Sequence, residues 1–349
     1  MAARQIGPFQ LEKQIGVGGM GVVYLATHLK TGRKVALKLL SPALSSDENL
    51  LARFEREMKI LKKLKNENIV QYFGGGRHGK QHFYAMELMP GGSLDDLIDE
   101  KGKLPWEQVI ELSLQIVNAL EYAHRHNVIH RDLKPANFLF DDSGKLKLSD
   151  FGIARDTQAT ALTAAGKTVG TYAYMAPEQI SGAHPITGKT DLYSLGCVMF
   201  QMLTGATPFQ ADSAAQMLFK HMDQKPPRVT ASAIDCPIWL DAVVSKLLSK
   251  DPQDRYFDAL AVQVALEEVL QKVTEQTSIA KQTTIGGPTS ITLDDVHPGL
   301  RKLLRSNKKK KKKRKKKKFV PFYERTLFLM ACLFLLIGGI TWAVWPLNE

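Results

Sequence analysis

The residues best suited to chemistry lie in two segments near the middle of the chain. Asp132, Lys134 and Asn137 share one loop, and Asp150 lies 18 positions after Asp132, behind a second apolar run. Phosphoryl transfer needs a carboxylate to orient the attacking hydroxyl, cations against the γ-phosphate and oxygen ligands for magnesium. These segments supply all three kinds of group. The pattern therefore predicts a phosphoryl-transfer site.

A glycine cluster from Gly16 to Gly21 lies between two β-rich runs, upstream of Lys38. Alone, such a cluster is weak evidence, because dinucleotide-binding folds and plain hairpins also carry it. A dinucleotide-binding loop opens directly into a helix, whereas residues 22–25 continue here as a strand. This difference favours a glycine-rich lid over phosphates, with the lysine of the following strand beside it.

Joined together, these motifs are typical of one family. The run H-R-D-L-K-P-A-N at residues 130–137 and the D-F-G that begins at Asp150 resemble the eukaryotic-type protein kinase superfamily. Lys134, two places after Asp132, resembles the Ser/Thr class. The later run D-L-Y-S-L-G-C-V from Asp191 resembles the bacterial membrane-anchored Ser/Thr protein kinases.

The resemblance covers about residues 9–271 and implies an α+β, two-lobed protein kinase fold, with one C-terminal transmembrane helix added. A small β-rich N-lobe would span about 9–89, and a large, mainly helical C-lobe about 93–271. The residues themselves favour paired strands over 9–39, a buried strand over 82–89, and amphipathic helices over 50–64 and 106–126.

The resemblance also implies a role for each chemical group. Asp132 would orient the acceptor hydroxyl, Lys134 would stabilise the transferring phosphoryl group, and Asn137 and Asp150 would ligate Mg²⁺, which Mn²⁺ could replace. Lys38 would hold the α- and β-phosphates of ATP. Its ion-pair partner would be Glu57 rather than Glu55, which is read as a solvated helix charge.

The nucleotide site implied by the resemblance has a lid, an apolar sandwich and a linker between the lobes. In the linker, the carbonyl of Glu87 and the N–H and carbonyl of Met89 would contact adenine, behind the gatekeeper Met86. Read alone, the apolar members are ordinary core residues. The expected ATP contacts are Ile15, Gly16, Val17, Gly18, Gly19, Met20, Gly21, Val23, Ala36, Lys38, Met86, Glu87, Met89 and Leu139.

The loop from Asp150 to Glu178 is rich in threonine. Thr163 and Thr168 are the candidate autophosphorylation sites, since a phosphothreonine there could pair with Arg131; the alternative is solvated loop threonines. Thr171 would by resemblance bond Asp132 and Lys134.

Other residues have structural roles by the same resemblance. His130 would pack beneath Phe151, Asp191 would hold the catalytic-loop backbone, and Arg255 would pair with Glu178. A transition-metal site at the histidines is not expected, because no thiolate or carboxylate clusters with them at the spacing that zinc prefers. The histidines considered are His78, His82, His124, His126 and His130.

The formal charge is +12, but residues 308–318 contain eleven basic side chains, so subtracting these leaves +1 for the other residues. No broad basic face is expected on the folded domain, and no nucleic-acid partner. Cys197, Cys236 and Cys332 are far apart, which indicates a reducing compartment. The N-terminus has no apolar signal-peptide core.

The C-terminal part predicts a membrane anchor. Residues 272–307 read as a Thr/Ser-rich juxtamembrane linker and 308–318 as a polybasic tract for anionic lipid headgroups, with nucleic-acid binding as the alternative. The uncharged stretch 326–345 is long enough to span a bilayer, with 346–349 as an extracytoplasmic tail. Basic flanks stay in the cytoplasm, so the kinase domain should lie there.

The sequence thus predicts a membrane-anchored Ser/Thr protein kinase that acts in signalling, with protein substrates that include itself and a second copy as a candidate partner. The alternative is a membrane-tethered nucleotide-binding pseudokinase scaffold. Its usual mark is loss of Lys38, Asp132 or Asp150, and all three are present.

Overall fold

A six-stranded antiparallel sheet forms the N-terminal part of this computed structural model, which describes residues 4–18, 21–41, 58–151 and 169–284, with 277–284 as backbone only. The spatial order of the strands is β1-β2-β3-β4-β6-β5. The strands are β1 Gln5–Ile6, β2 Phe9–Gly18, β3 Gly21–His28, β4 Lys34–Leu40, β5 Tyr72–His78 and β6 Gln81–Met86.

Side chains along β4 alternate between the two faces of the sheet, and one of these faces packs against the helices. Ala36 and Leu40 belong to the large core shared with the helices, whereas Val35, Leu37 and Leu39 belong to a separate cluster on the opposite face. Successive side chains of a strand point to opposite faces, so Lys38 lies on the same face as Ala36. Lys38 is consequently buried between the sheet and the helical part, with 5% of its surface exposed.

The strand predicted over 82–89 is shorter than expected. β6 ends at Met86, and the N–H of Glu87 bonds instead to the carbonyl of Gln71, just before β5, at 2.9 Å. Further along, Pro90 has no N–H to donate, and the N–H of Gly91 donates to the carbonyl of Phe140 at 2.8 Å. The segment after Met86 therefore links the sheet to the helices.

Helices dominate the C-terminal part. They are α1 Leu94–Lys101, α2 Trp106–Arg125, α3 Pro177–Ser181, α4 Gly188–Thr204, α5 Ala214–Asp223, α6 Ile238–Leu247 and α7 Ala259–Thr284, with a two-stranded sheet of β7 Phe138–Phe140 and β8 Leu146–Leu148. The prediction for α2 is confirmed to within one residue. Its apolar stripe, which includes Val109, Ile116 and Leu120, is fully buried.

A buried ion pair ties α3 to the segment before α7, as the sequence predicts. Arg255 donates from Nη1 and Nη2 to the two carboxylate oxygens of Glu178, at 2.8 Å each. Its other N–H groups donate to the carbonyls of Ser249, Lys189 and Lys250. All five donors of the guanidinium therefore have acceptors, which is the condition under which a buried charge is tolerated.

α7 continues further than the sequence suggests. It runs to Thr284, so the first part of the segment read as a linker is helical. Threonine is the commonest residue of that segment, but its Lys, Glu and Gln residues favour a helix, and Lys272 pairs with Glu268 one turn earlier. Among the residues that the structure describes, no helix is both long and apolar enough to cross a membrane; the predicted span 326–345 lies outside them.

Candidate active site

The backbone of the catalytic loop is held by one buried carboxylate. Asp191 of α4 accepts the N–H of His130 through Oδ2 and the N–H of Arg131 through Oδ1, both at 2.8 Å, which confirms the prediction for Asp191. Arg131 has φ +66°, a left-handed conformation that few non-glycine residues adopt. Oδ2 also contacts Nε2 of His124 at 2.8 Å. Although burial opposes ionisation, the hydrogen bond and charge of His124 outweigh it and lower the pKa of Asp191.

His130 lies beneath Phe151, as predicted, with ring centroids 4.8 Å apart. Its Nε2 is 2.9 Å from the carbonyl oxygen of Ser149, and its Nδ1 is 3.3 Å from the N–H of Asp132. Burial lowers the pKa of His130. A neutral ring with the proton on Nε2 satisfies both contacts, so His130 joins the loop of Asp132 to the segment that carries Asp150.

Asp132, Lys134 and Asn137 form one connected group. Nζ of Lys134 lies 3.2 Å from Oδ2 of Asp132, and Nδ2 of Asn137 donates to the carbonyl of Asp132 at 2.7 Å. The side-chain nitrogen of Asn137 is therefore engaged in a hydrogen bond, and its amide oxygen is the atom that can accept a hydrogen bond or bind a metal ion. The N–H and hydroxyl of Ser149 both donate to the carbonyl of Asn137, at 2.8 and 2.9 Å. This fixes Asn137 beside Asp150.

Lys38 reaches Asp150 directly. Its Nζ lies 2.9 Å from Oδ1 of the aspartate, across 112 positions of sequence. Oδ1 also accepts the hydroxyl of Tyr84 at 3.3 Å, and the N–H of Asp150 donates to the hydroxyl oxygen of Tyr72 at 3.1 Å. The side chain of Asp150 remains 35% exposed, so its carboxylate stays accessible from the cleft. The structure thus links Lys38 through Asp150 and Asn137 to Asp132.

The oxygen atoms of Asp150 and Asn137 fit a magnesium ion. A carboxylate and an amide oxygen are hard ligands, and Mg²⁺ is usually held by one or two such groups together with water and substrate phosphates. Within the described ranges, no cluster of three His, Cys, Asp or Glu side chains could hold a metal. These residues therefore do not form a metal site made of protein ligands alone. They fit a metal site that is shared with a phosphorylated ligand.

Several expected nucleotide contacts lie around the same cleft. Ala36 and Met86 are Cα partners on β4 and β6, both buried, while Val23 and Ile15 pack against the same core and Val17 is exposed. Gly16 and Gly18 end β2 and pair with Val23 and Gly21 of β3.

Gly21 has φ +143°, and a Cβ there would lie 1.9 Å from the carbonyl oxygen of Leu39. A side chain is therefore excluded at this end of the lid.

The linker residues also have defined surroundings. Glu87 pairs through Oε1 with Nζ of Lys147 at 2.6 Å, and Met89 packs at the edge of the core. Leu139 forms an isolated bridge with Ser93, so it lies directly against the linker.

Some predicted residues lie outside the described part of the chain. They are Gly19, Met20, Glu57, Thr163 and Thr168, together with Glu55 and the side chain of Thr171. The Lys38–Glu57 pair and the autophosphorylation sites stay predictions.

The sequence reasoning missed Tyr72 and Tyr84. Both lie in strands, where an aromatic residue is usually read as ordinary core. Tyr84 is the Cα partner of Lys38, so their side chains share one face of the sheet, but this register is known from the structure and not from the sequence.

A β-rich sheet over a helical part, a glycine-rich β2–β3 turn and a site built from Lys38, Asp132, Asn137 and Asp150 are together the features of a protein kinase. The family model for the protein kinase domain matches residues 9–270, and the chain belongs to this family.

Particular relatives are serine/threonine-protein kinases of bacteria. The chain is 35% identical over 267 residues to serine/threonine-protein kinase PknL of Mycobacterium tuberculosis, covering 76% of this chain and 66% of the relative. It is 36% identical over 264 residues to probable serine/threonine-protein kinase PknB of Bifidobacterium longum, covering 72% of this chain and 38% of the relative. The crystal structure of the M. tuberculosis PknI kinase domain superposes with TM-score 0.63 at 26% identity, covering 78% of this chain and 99% of that domain.

Proposed function

We propose that this chain transfers the γ-phosphoryl group of ATP to Ser and Thr hydroxyls of proteins, including its own, as a membrane-anchored signalling kinase. The observation that carries the proposal is the set of contacts that joins Lys38 to Asp150 and, through Ser149 and Asn137, to Asp132 and Lys134. Its relatives are serine/threonine-protein kinases, which supports the same activity.

Each of these residues has a step to perform. Asp132 orients the acceptor hydroxyl and accepts its proton, and Lys134, 3.2 Å from that carboxylate, offsets charge on the transferring group. Lys38 leaves Asp150 for the α- and β-phosphates when nucleotide enters. Asp150 and Asn137 would hold Mg²⁺, which would offset the negative charge of the phosphates.

A buried donor of Arg131 supports autophosphorylation of the loop after Asp150. In the part of the chain that the structure describes, Nε of Arg131 is buried and has no hydrogen-bond partner. A buried cationic donor without an acceptor is costly, and a phosphate is the anion that a guanidinium pairs with best. A phosphate on Thr163 or Thr168 would supply that acceptor.

Membrane attachment rests on the sequence. The uncharged residues 326–345 match the thickness of a bilayer, and the basic residues 308–318 precede them and would contact anionic headgroups from the cytoplasmic side. Attachment confines the kinase to two dimensions, which raises the encounter rate of two copies and favours phosphorylation between them.

A phosphosite map of the full chain expressed in bacterial membranes tests the activity. The unchanged protein should carry phosphate on Ser and Thr only, with Thr163 or Thr168 among the sites, and Asp132→Asn should carry none. A pseudokinase scaffold would give identical, phosphate-free maps for both proteins while each still binds ATP. Separate extraction of membranes with alkali tests the anchor, because a spanning helix stays with the lipid and a surface-bound chain is released.

A further inference from the structure

Two tyrosines on neighbouring strands face the nucleotide side of the sheet. Tyr72 begins β5 and Tyr84 lies in β6, and they are only 1% and 2% exposed. Their rings pack at a centroid distance of 5.9 Å, and Nζ of Lys38 lies 5.8 Å from the ring centroid of Tyr84. Phenylalanine would fill the same space. The packing alone therefore does not account for the two hydroxyl groups.

Both hydroxyls meet the same residue from different directions. The hydroxyl oxygen of Tyr72 accepts the backbone N–H of Asp150 at 3.1 Å, and the hydroxyl of Tyr84 donates to Oδ1 of the Asp150 carboxylate at 3.3 Å. Burying a hydroxyl is unfavourable unless it is hydrogen-bonded, so these two groups are placed where Asp150 satisfies them. Tyr72 fixes the main chain of the aspartate and Tyr84 fixes its side chain.

Asp150 needs such support because its backbone is strained. Its φ is +47°, in the left-handed region that non-glycine residues enter at an energetic cost. The peptide before it is anchored by Ser149, whose N–H and hydroxyl donate to Asn137. The bond to Tyr72 anchors the N–H of Asp150 itself.

We propose that Tyr72 and Tyr84 are positioning residues that aim the Asp150 carboxylate at magnesium, an inference that rests on the proposed kinase function. Lys38 and Tyr84 both bond Oδ1 of Asp150. When Lys38 turns to the phosphates, Tyr84 keeps the carboxylate in place and Tyr72 keeps the backbone in place. The two hydroxyls thus preorganise one ligand of the metal and take no part in the chemistry.

Removing the Tyr84 hydroxyl has two opposing effects on the affinity for metal, one through the basicity of the Asp150 carboxylate and one through its orientation. The sign of the net change shows which effect is larger. A carboxylate that loses a hydrogen-bond donor becomes more basic and would bind a cation more tightly. A carboxylate that loses its orientation would bind the cation more weakly. The proposal requires the second effect to dominate.

The test uses the full chain in detergent micelles, with the single variants Tyr72→Phe and Tyr84→Phe. Titration calorimetry measures ATP affinity without metal and at increasing Mg²⁺, and the ratio of the two dissociation constants gives the gain due to metal. We expect Tyr84→Phe to reduce that gain about tenfold and Tyr72→Phe about fivefold, because a bond to a charged group contributes more than a neutral one. Affinity without metal should be unchanged.

Tyr193→Phe is the matched control. Tyr193 is equally buried, and its hydroxyl lies 2.9 Å from Nδ1 of His221 in the helical part. This variant should lose stability to a similar degree and keep the full gain from Mg²⁺. Equal gains in Tyr84→Phe and Tyr193→Phe, or a larger gain in Tyr84→Phe, would overturn the proposal.

Failure of the positioning role can be distinguished from failure of the proposed kinase function. If the unchanged chain shows a gain from Mg²⁺ but transfers no phosphate, the proposed function fails while the positioning role can still be measured. If the unchanged chain transfers phosphate and both Phe variants keep the gain, only the positioning role fails.

Discussion

Replacement of Asp191 by Asn tests how the catalytic loop is held. In the unchanged protein, Oδ1 of Asp191 accepts the N–H of Arg131 at 2.8 Å. In Asp191→Asn, the amide that keeps its oxygen toward His130 and His124 places its NH₂ group against this N–H, so the hydrogen bond is lost. A hydrogen bond to a charged group contributes about 1.5–3 kcal/mol, and a buried donor without a partner costs about 1–3 kcal/mol. We expect the free energy of unfolding to fall by about 3 kcal/mol.

Thermal unfolding of the full chain in detergent measures this loss, and for a domain of this size it corresponds to about 6–12 °C in Tm. Because Arg131 adjoins Asp132, kcat should fall further than the loss of folded protein explains. Asp241→Asn is the control, since Asp241 is equally buried and accepts the N–H of Val229 at 2.8 Å, away from the catalytic loop. If Asp191→Asn lowered Tm by less than about 2 °C and left kcat at the control's value, the reasoning would be wrong.

Other predictions concern stability. Arg255→Met should lower the free energy of unfolding by about 3–5 kcal/mol because it leaves Glu178 buried and unpaired, whereas the double variant with Glu178→Leu should recover part of that loss in chemical denaturation. Burial lowers the pKa of His221 from 6.5 to about 3, so between these pH values the unfolded chain binds one more proton than the folded protein, and stability should fall as the pH drops from 6.5 to 3. A pH series of Tm for the unchanged protein and for His221→Gln measures this fall. Equal slopes of Tm against pH in the two proteins would refute the prediction. Gly21→Ala should weaken ATP binding and lower Tm, because its Cβ would lie 1.9 Å from a backbone oxygen of the neighbouring strand; an unchanged Kd and Tm would contradict this.

Features marked by a motif or by a regular apolar spacing were predictable from the sequence. The spacing of apolar residues gave α2 to within one residue, and motif resemblance gave the roles of Asp191, Arg255 and His130, each of which the hydrogen bonds and ring contacts bear out. These residues are recognisable because their types are unusual where they stand. A buried carboxylate or guanidinium in a helical domain requires a partner, and the resemblance names it.

Contacts that neither a motif nor a regular apolar spacing marks were not predictable. Tyr72 and Tyr84 lie 78 and 66 positions from Asp150, and no motif distinguishes a strand tyrosine whose hydroxyl bonds an aspartate from one that only fills the core. The end of β6 at Met86 depends on the turn toward the helices, which apolar content does not reveal. The extension of α7 to Thr284 was missed because a long polar helix has no steady apolar period.

Single-turnover transfer of phosphate from γ-labelled ATP, measured with the full chain and Mg²⁺ for the unchanged protein and for Asp132→Asn, tests the central claim most directly. Positioned proton transfer contributes about 10²–10⁴ in rate, so the variant should be slower by at least about 100-fold while it binds ATP with unchanged affinity. Equal rates in the two proteins, or no transfer by the unchanged chain despite ATP binding, would contradict the account.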